Sequence, residues 1–153
     1  NHSRVASVYN DIGEIYSVQG DDFKALDYFK KSLKIVLSVY GENHSQVSSI
    51  YDHIGEIYFA QKDYSKALYY FEESLKIRLS LFGENHPEVA LSYYSIGSLY
   101  IIQGDKSKAL NYYEKSLKIR LSVYGENHPL TKEIMDLINV ANSKVLQSPE
   151  TTK

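Results

Sequence analysis

The chain has 153 residues, 43% hydrophobic and 24% charged, with a formal net charge of -2 and no cysteine. That balance gives no bulk attraction to nucleic acid or anionic lipid, and without thiols neither a disulfide framework nor a zinc-thiolate site can form. No apolar run approaches the roughly 18 residues of a membrane span, and the start Asn1-His2-Ser3-Arg4 is unlike a signal peptide, so a cytoplasmic protein with no membrane partner is expected.

The first expected element is a helix of about 16 residues. Val5, Tyr9, Ile12 and Tyr16 fall at i, i+4, i+7 and i+11, Val8 and Ile15 widen the stripe, and Gly20-Asp21 end it. A second stripe runs through Ala25, Leu26, Phe29, Leu33, Val36 and Leu37 to Tyr40, before Gly41, a residue suited to positive φ past a helix end.

The pattern then starts again. Gly-Glu-Asn-His recurs at Gly41, Gly83 and Gly125, always 42 residues on, and Ile12-Gly13-Glu14-Ile15-Tyr16 returns as Ile54-Gly55-Glu56-Ile57-Tyr58 and Ile96-Gly97-Ser98-Leu99-Tyr100. Residues 43–84 laid over 85–126 agree at 24 of 42 positions, so one unit has been duplicated. Lys62-Asp63 and Gly104-Asp105 end the first helices of the later units, and Pro87 and Pro129 stand where first-turn residues would.

The expected organisation is three repeats, 1–42, 43–84 and 85–126, then a capping helix over 127–146 and a disordered tail over 147–153. The chain opens on the Asn-His of a repeat boundary and is expected to be a piece of a longer protein cut between units. The fold class is all-α, an α-solenoid of antiparallel helix pairs forming a right-handed superhelix or short arc, since two helices of this length cannot bury both apolar faces alone. Gly13, Gly55 and Gly97 sit mid-helix despite a helix cost of about 1 kcal/mol each. Close approach of a neighbouring helix, with Ala25, Ala67 and Ala109 as small counterparts, is the expected compensation.

These residues carry a family resemblance. Tyr51, Ile54, Gly55 and Tyr58 on the first helix and Ala67, Phe71 and Ser74 on the second resemble the tetratricopeptide repeat, over residues 1 to about 124, with a further first-type helix from Leu130 to about Leu146. The period exceeds the family's usual ~34 residues, and this variant, with its Gly-x-Asn-His-Pro linker, is similar to the repeats of kinesin light chains and nephrocystin-like proteins. Tyr replaces the family's Trp, and Ser32, Ser74 and Ser116 replace a small Ala. In the last helix Asn139 and Asn142 stand where Gly and Tyr belong, while Thr131, Lys132, Glu133 and Asp136 are expected to solvate the end.

The resemblance implies binding of a protein or peptide in a groove lined by first helices. On a helical wheel the face opposite the core stripe holds Ser7, Asn10, Glu14 and Ser17 in the first unit and Ser49, Asp52, Glu56 and Phe59 in the second. In the third it holds Leu91, Tyr94, Ser98 and Ile101, with Ile102 beside them. The candidate peptide-binding residues are therefore Asn10, Glu14, Asp52, Glu56, Phe59, Leu91, Tyr94, Ser98, Ile101 and Ile102, on a surface acidic at the amino end and apolar at the carboxyl end. A fitting peptide has a hydrophobic anchor and a basic flank, and a carboxylate-gripping clamp is disfavoured by Glu14, Asp52 and Glu56. The alternative is a scaffold segment that spaces other domains or self-associates weakly through its open amino-terminal end.

No catalytic residue, metal or cofactor is expected. Most histidines are linker residues suited to capping, one period apart and so not converging on one ion, and His53 has no nucleophile or phosphate-cradling loop beside it. Most of Lys30, Lys31, Lys34, Lys76, Arg78, Lys115, Lys118 and Arg120 are expected near helix carboxyl ends, opposing the dipole, and Tyr69, Tyr70, Tyr112 and Tyr113 in inter-helix packing.

Overall fold

The computed structural model describes residues 2–143, whose regular structure is entirely helical. The elements are α1 (His2–Val18), α2 (Asp22–Tyr40), α3 (Ser45–Ala60), α4 (Tyr64–Phe82), α5 (Pro87–Gln103), α6 (Lys106–Tyr124) and α7 (Pro129–Ser143). They form two compact units, Asn1–Gly83 with α1 to α4 and Glu84–Lys153 with α5 to α7. The expected extension of α7 to Leu146 and the expected tail over 147–153 lie outside the described residues.

Local chemistry sets the helix ends. Gly20 and Gly104 close α1 and α5 at φ 77° and 82°, and Lys62 holds the same place after α3 at φ 63°. The aspartate that follows, Asp21, Asp63 or Asp105, accepts from the backbone N–H of Lys24, Lys66 or Lys108 at 3.1 to 3.2 Å and caps the second helix. His44 and His86 cap α3 and α5 through Nδ1, which accepts from the N–H of Gln46 and Glu88 at 3.2 Å, and His128 Nδ1 accepts likewise from Leu130. Tyr40 stacks on His44 at 4.3 Å and Tyr124 on His128 at 4.4 Å, so the Asn-His linkers are structural.

Each helix pair is built on one notch. A methyl group placed on Gly13 would lie 2.8 Å from the Phe29 ring, on Gly55 2.7 Å from Phe71, and on Gly97 2.7 Å from Tyr113. The expected contact of small residues with small residues is therefore corrected: an aromatic ring of the partner helix fills the notch. Ala67 and Ala109 border it through their backbone carbonyls. Nearby, two tyrosines of the first helix clamp one of the second: Tyr9 and Tyr16 on Tyr28, Tyr51 and Tyr58 on Tyr70, Tyr93 and Tyr100 on Tyr112, at 5.6 to 6.0 Å. Ser32 and Ser116 donate at 2.8 Å to the carbonyls of Ala6 and Ala90, which explains a hydroxyl where a methyl is usual.

Tertiary context overrides several local expectations. Val8 and Ile15 of α1 are 52% and 56% exposed, whereas their counterparts Ile50 and Ile57 in α3 are each 2% exposed, because α3 packs on α2 as well as α4. Arg78 and Arg120 do not sit in last turns opposing a dipole; both are 4% exposed, and none of α2, α4 or α6 carries a basic residue in its last turn. Thr131 does not solvate the end of α7 but is fully buried, its hydroxyl donating to the Arg120 carbonyl at 3.4 Å. Tyr69 is exposed, edge-on to Tyr70, whereas Tyr113 is buried.

Two substitutions of opposite sign check this account by thermal unfolding. Gly55→Ala should destabilise by roughly 1 kcal/mol, because overpacking against Phe71, about 1–3 kcal/mol, outweighs a helix-propensity gain of about 1 kcal/mol. Lys62→Gly should stabilise by about 0.5 to 1 kcal/mol by removing a left-handed lysine, less the entropy of a freer unfolded chain. A stabilising Gly55→Ala would show that the notch has slack.

Candidate functional site

In the first unit, α1 and α3 bring the acidic candidates together around a histidine. Asn10 Nδ2 donates to Glu14 Oε1 at 2.6 Å, one helical turn on. That oxygen lies 3.3 Å from His53 Nε2 of α3, while His53 Nδ1 lies 3.8 Å from Glu56 Oε2. The imidazole stacks on Phe29 at 5.0 Å with 9° between the planes, so the ring that fills the Gly13 notch also orients the histidine. The Glu56 carboxylate first, then the charges of Glu14, Glu56 and Asp52, hold the His53 pKa above its ordinary value against the opposing effect of burial.

Asp52 has a different place. Its Oδ2 lies 2.6 Å from Nη1 of the buried Arg78 on α4, and burial pushes its pKa up against the pull of that guanidinium. It belongs to an internal ion pair, which leaves Glu14 and Glu56 as the exposed carboxylates among the candidates. Phe59 is partly buried, edge-on to Tyr64 at 5.9 Å.

In the second unit the candidates on α5 separate into two groups. Tyr94 turns toward α6 and α7: its ring lies 5.1 Å from the Arg120 guanidinium and its hydroxyl donates to Glu133 Oε1 at 3.4 Å. Ser98 and Tyr113 share a hydroxyl hydrogen bond of 3.1 Å. Leu91, Ile101 and Ile102 stay at the surface, 45%, 36% and 50% exposed, Leu91 near the start of α5 and the two isoleucines adjacent at its end.

Among the described residues no group of His, Asp or Glu side chains is arranged to hold a metal ion, and no helix is long and apolar enough to cross a membrane. The residue that composition and spacing did not single out as a site is His53. Its signal was present, a helical histidine with an acidic residue three positions on, but its partner Glu14 is 39 residues away and only packing of α3 beside α1 joins them.

Helix pairs of fixed length, each closed by a glycine notch and joined by a capped linker, define a helical-repeat protein. A tetratricopeptide repeat model matches residues 4–80 and 49–122, and the chain belongs to the tetratricopeptide repeat family. Solved structures agree on the fold. BtubC (BKLC) from P. vanneervenii has a TM-score of 0.78 at 19% identity, covering 100% of this chain and 69% of its own. A putative kinesin light chain with nearly identical TPR-like repeats from Podosopora anserina has a TM-score of 0.79 at 17% identity, covering 96% and 71%. The N-terminal domain of stress-induced protein-1 from C. elegans has 0.68 at 17%, covering 93% and 98%. Comparison with curated protein sequences returns no match.

The histidine network gives a pH test. Because the folded-state pKa of His53 is raised, its contribution to stability is full below about 6.5, the value of an unperturbed histidine, and is lost as pH rises through the folded-state value. An NMR titration should place His53 above that ordinary value, with Glu56→Gln lowering it more than Glu14→Gln. Titration at or below the ordinary value would dissolve the network.

Proposed function

We propose that this chain is a protein-interaction module that binds a partner peptide or helix on its first-helix faces. Family membership supports the class, since tetratricopeptide repeats generally mediate protein–protein interaction. The observation that carries the finer reading is the chemistry left exposed on those faces. The first unit presents Glu14 and Glu56 around His53, suited to Lys or Arg of a partner. The second unit presents Leu91 at the start of α5 and the adjacent, exposed Ile101 and Ile102 at its end, aliphatic groups suited to an apolar anchor.

Each face is testable by itself with a synthetic peptide array in which apolar anchors carry Lys/Arg, neutral or Asp/Glu flanks. Basic-flanked apolar peptides should bind, Glu14→Lys with Glu56→Lys should weaken them at least tenfold and flatten their salt dependence, and Leu91→Ser with Ile101→Ser should weaken all anchored peptides. Equal retention of acidic-flanked peptides would sink the charge assignment.

A second reading, self-association, is favoured by one observation. Val5, Val8 and Ile15 of α1 are exposed, although the same positions in α3, Val47, Ile50 and Ile57, are the ones buried where α3 packs on α2. Sedimentation equilibrium should then show concentration-dependent mass that Val8→Glu with Ile15→Glu abolishes. A monomer at all concentrations excludes this reading and leaves the first untouched.

A further inference from the structure

The repeats differ at one inward position, and the difference opens a space. Residues 36, 78 and 120 are equivalent by the 42-residue period and read Val, Arg, Arg. Arg78 is buried and paired with Asp52. Arg120 is buried beneath Tyr94, its Nη1 donating to the Leu130 carbonyl and lying 3.4 Å from Glu133 Oε2. In the first repeat Val36 cannot reach so far, and beside it α1, α2 and α3 enclose a cleft of about 340 Å³.

The walls of that cleft use the positions that surround Arg120. Asn10, Gln46 and Ser49 stand two periods before Tyr94, Leu130 and Glu133, and all three line the cleft. Asn10 Oδ1 and Gln46 Oε1 are buried acceptors with no hydrogen-bond partner, the condition that folded proteins ordinarily avoid. The Asn10 amide nitrogen is committed to Glu14, so its oxygen is the group left over. Glu14 and Asp11 also line the cleft and add two carboxylates against the single His53 imidazole that faces Glu14, so the walls offer acceptors and a net negative charge.

We propose that this cleft receives the guanidinium of an arginine side chain from a partner protein, in the place that the chain's own arginine takes in the α5, α6, α7 unit. The inference rests on the protein-binding reading above and specifies what its first unit recognises. The volume lies at the small end of ligand sites, suited to one side chain and not to a folded segment. Acceptors on separate helices suit the planar fork of arginine, whose donors diverge, better than the point charge of lysine.

The experiment follows the Asn10 and Gln46 side-chain amides in 15N-resolved NMR spectra of the full chain, titrated with N-acetyl-arginine amide or its neutral isostere N-acetyl-citrulline amide. Saturable shifts at both amides are expected with the arginine compound, and at least tenfold weaker ones with citrulline. Val36→Arg supplies the side chain internally, as the other repeats do, and should keep the helicity while weakening the response at least tenfold. Should that variant not fold, Gln46→Leu at the partly exposed start of α3 tests the same wall and should weaken the response several-fold. Equal response to both compounds, or an arginine response that Gln46→Leu leaves unchanged, overturns the proposal. If no array peptide binds while arginine amide titrates as expected, the peptide-binding reading fails and the guanidinium site stands. If basic peptides bind without moving the Asn10 and Gln46 amides, the site falls alone.

Discussion

Each helix pair depends on the absence of one methyl group. At Gly13, Gly55 and Gly97 the partner helix comes so near that its aromatic ring occupies the volume a Cβ would need. The helix-propensity cost of a mid-helix glycine is set against the burial of Phe29, Phe71 or Tyr113 and the dispersion contacts of a full ring. Once that approach is fixed, the tyrosine clamps follow at fixed offsets in sequence in all three pairs, and the serine-to-carbonyl bonds in the first and third.

The notch also shapes the candidate site. Phe29 presents one edge to Gly13 and one face to His53, so the packing of α1 on α2 sets the imidazole plane and its distances to Glu14 and Glu56. This is how a structural ring positions a titratable group on another helix: the stacked face restrains rotation, and the carboxylates favour the charged form.

On this common frame the repeats diverge where first and second helices face each other beyond the notch. Asn10, Asp52 and Tyr94 occupy one position, and Val36, Arg78 and Arg120 another. Asp52 answers Arg78 with charge, Tyr94 answers Arg120 with its π face, and Asn10 beside Val36 keeps an unanswered carbonyl oxygen. A buried guanidinium has to be matched by charge, acceptors or an aromatic face. The first repeat has acceptors of that kind and no internal guanidinium.

The repeat, the helix pairs, their capped ends and the existence of a notch were legible in the chain, because each follows from local spacing: a 3.6-residue stripe, a Gly or Asp at a fixed offset, a 42-residue period. The role of neighbours was not. The same stripe is buried in α3 and exposed in α1, Thr131 is polar yet buried beneath α6, and Arg78 and Arg120 have the composition of surface residues but lie inside. Asp52 reads as a surface acid until Arg78 is found beside it, and His53 reads as a neighbour of its own helix's acids alone until α3 packs against α1 and brings Glu14 within reach. Sequence by itself determined which helices form and where they stop, since those choices are made within a turn or two of chain. Only tertiary structure decided which polar groups were satisfied and which were left facing a cleft, because that depends on groups 10 to 39 residues apart meeting in space.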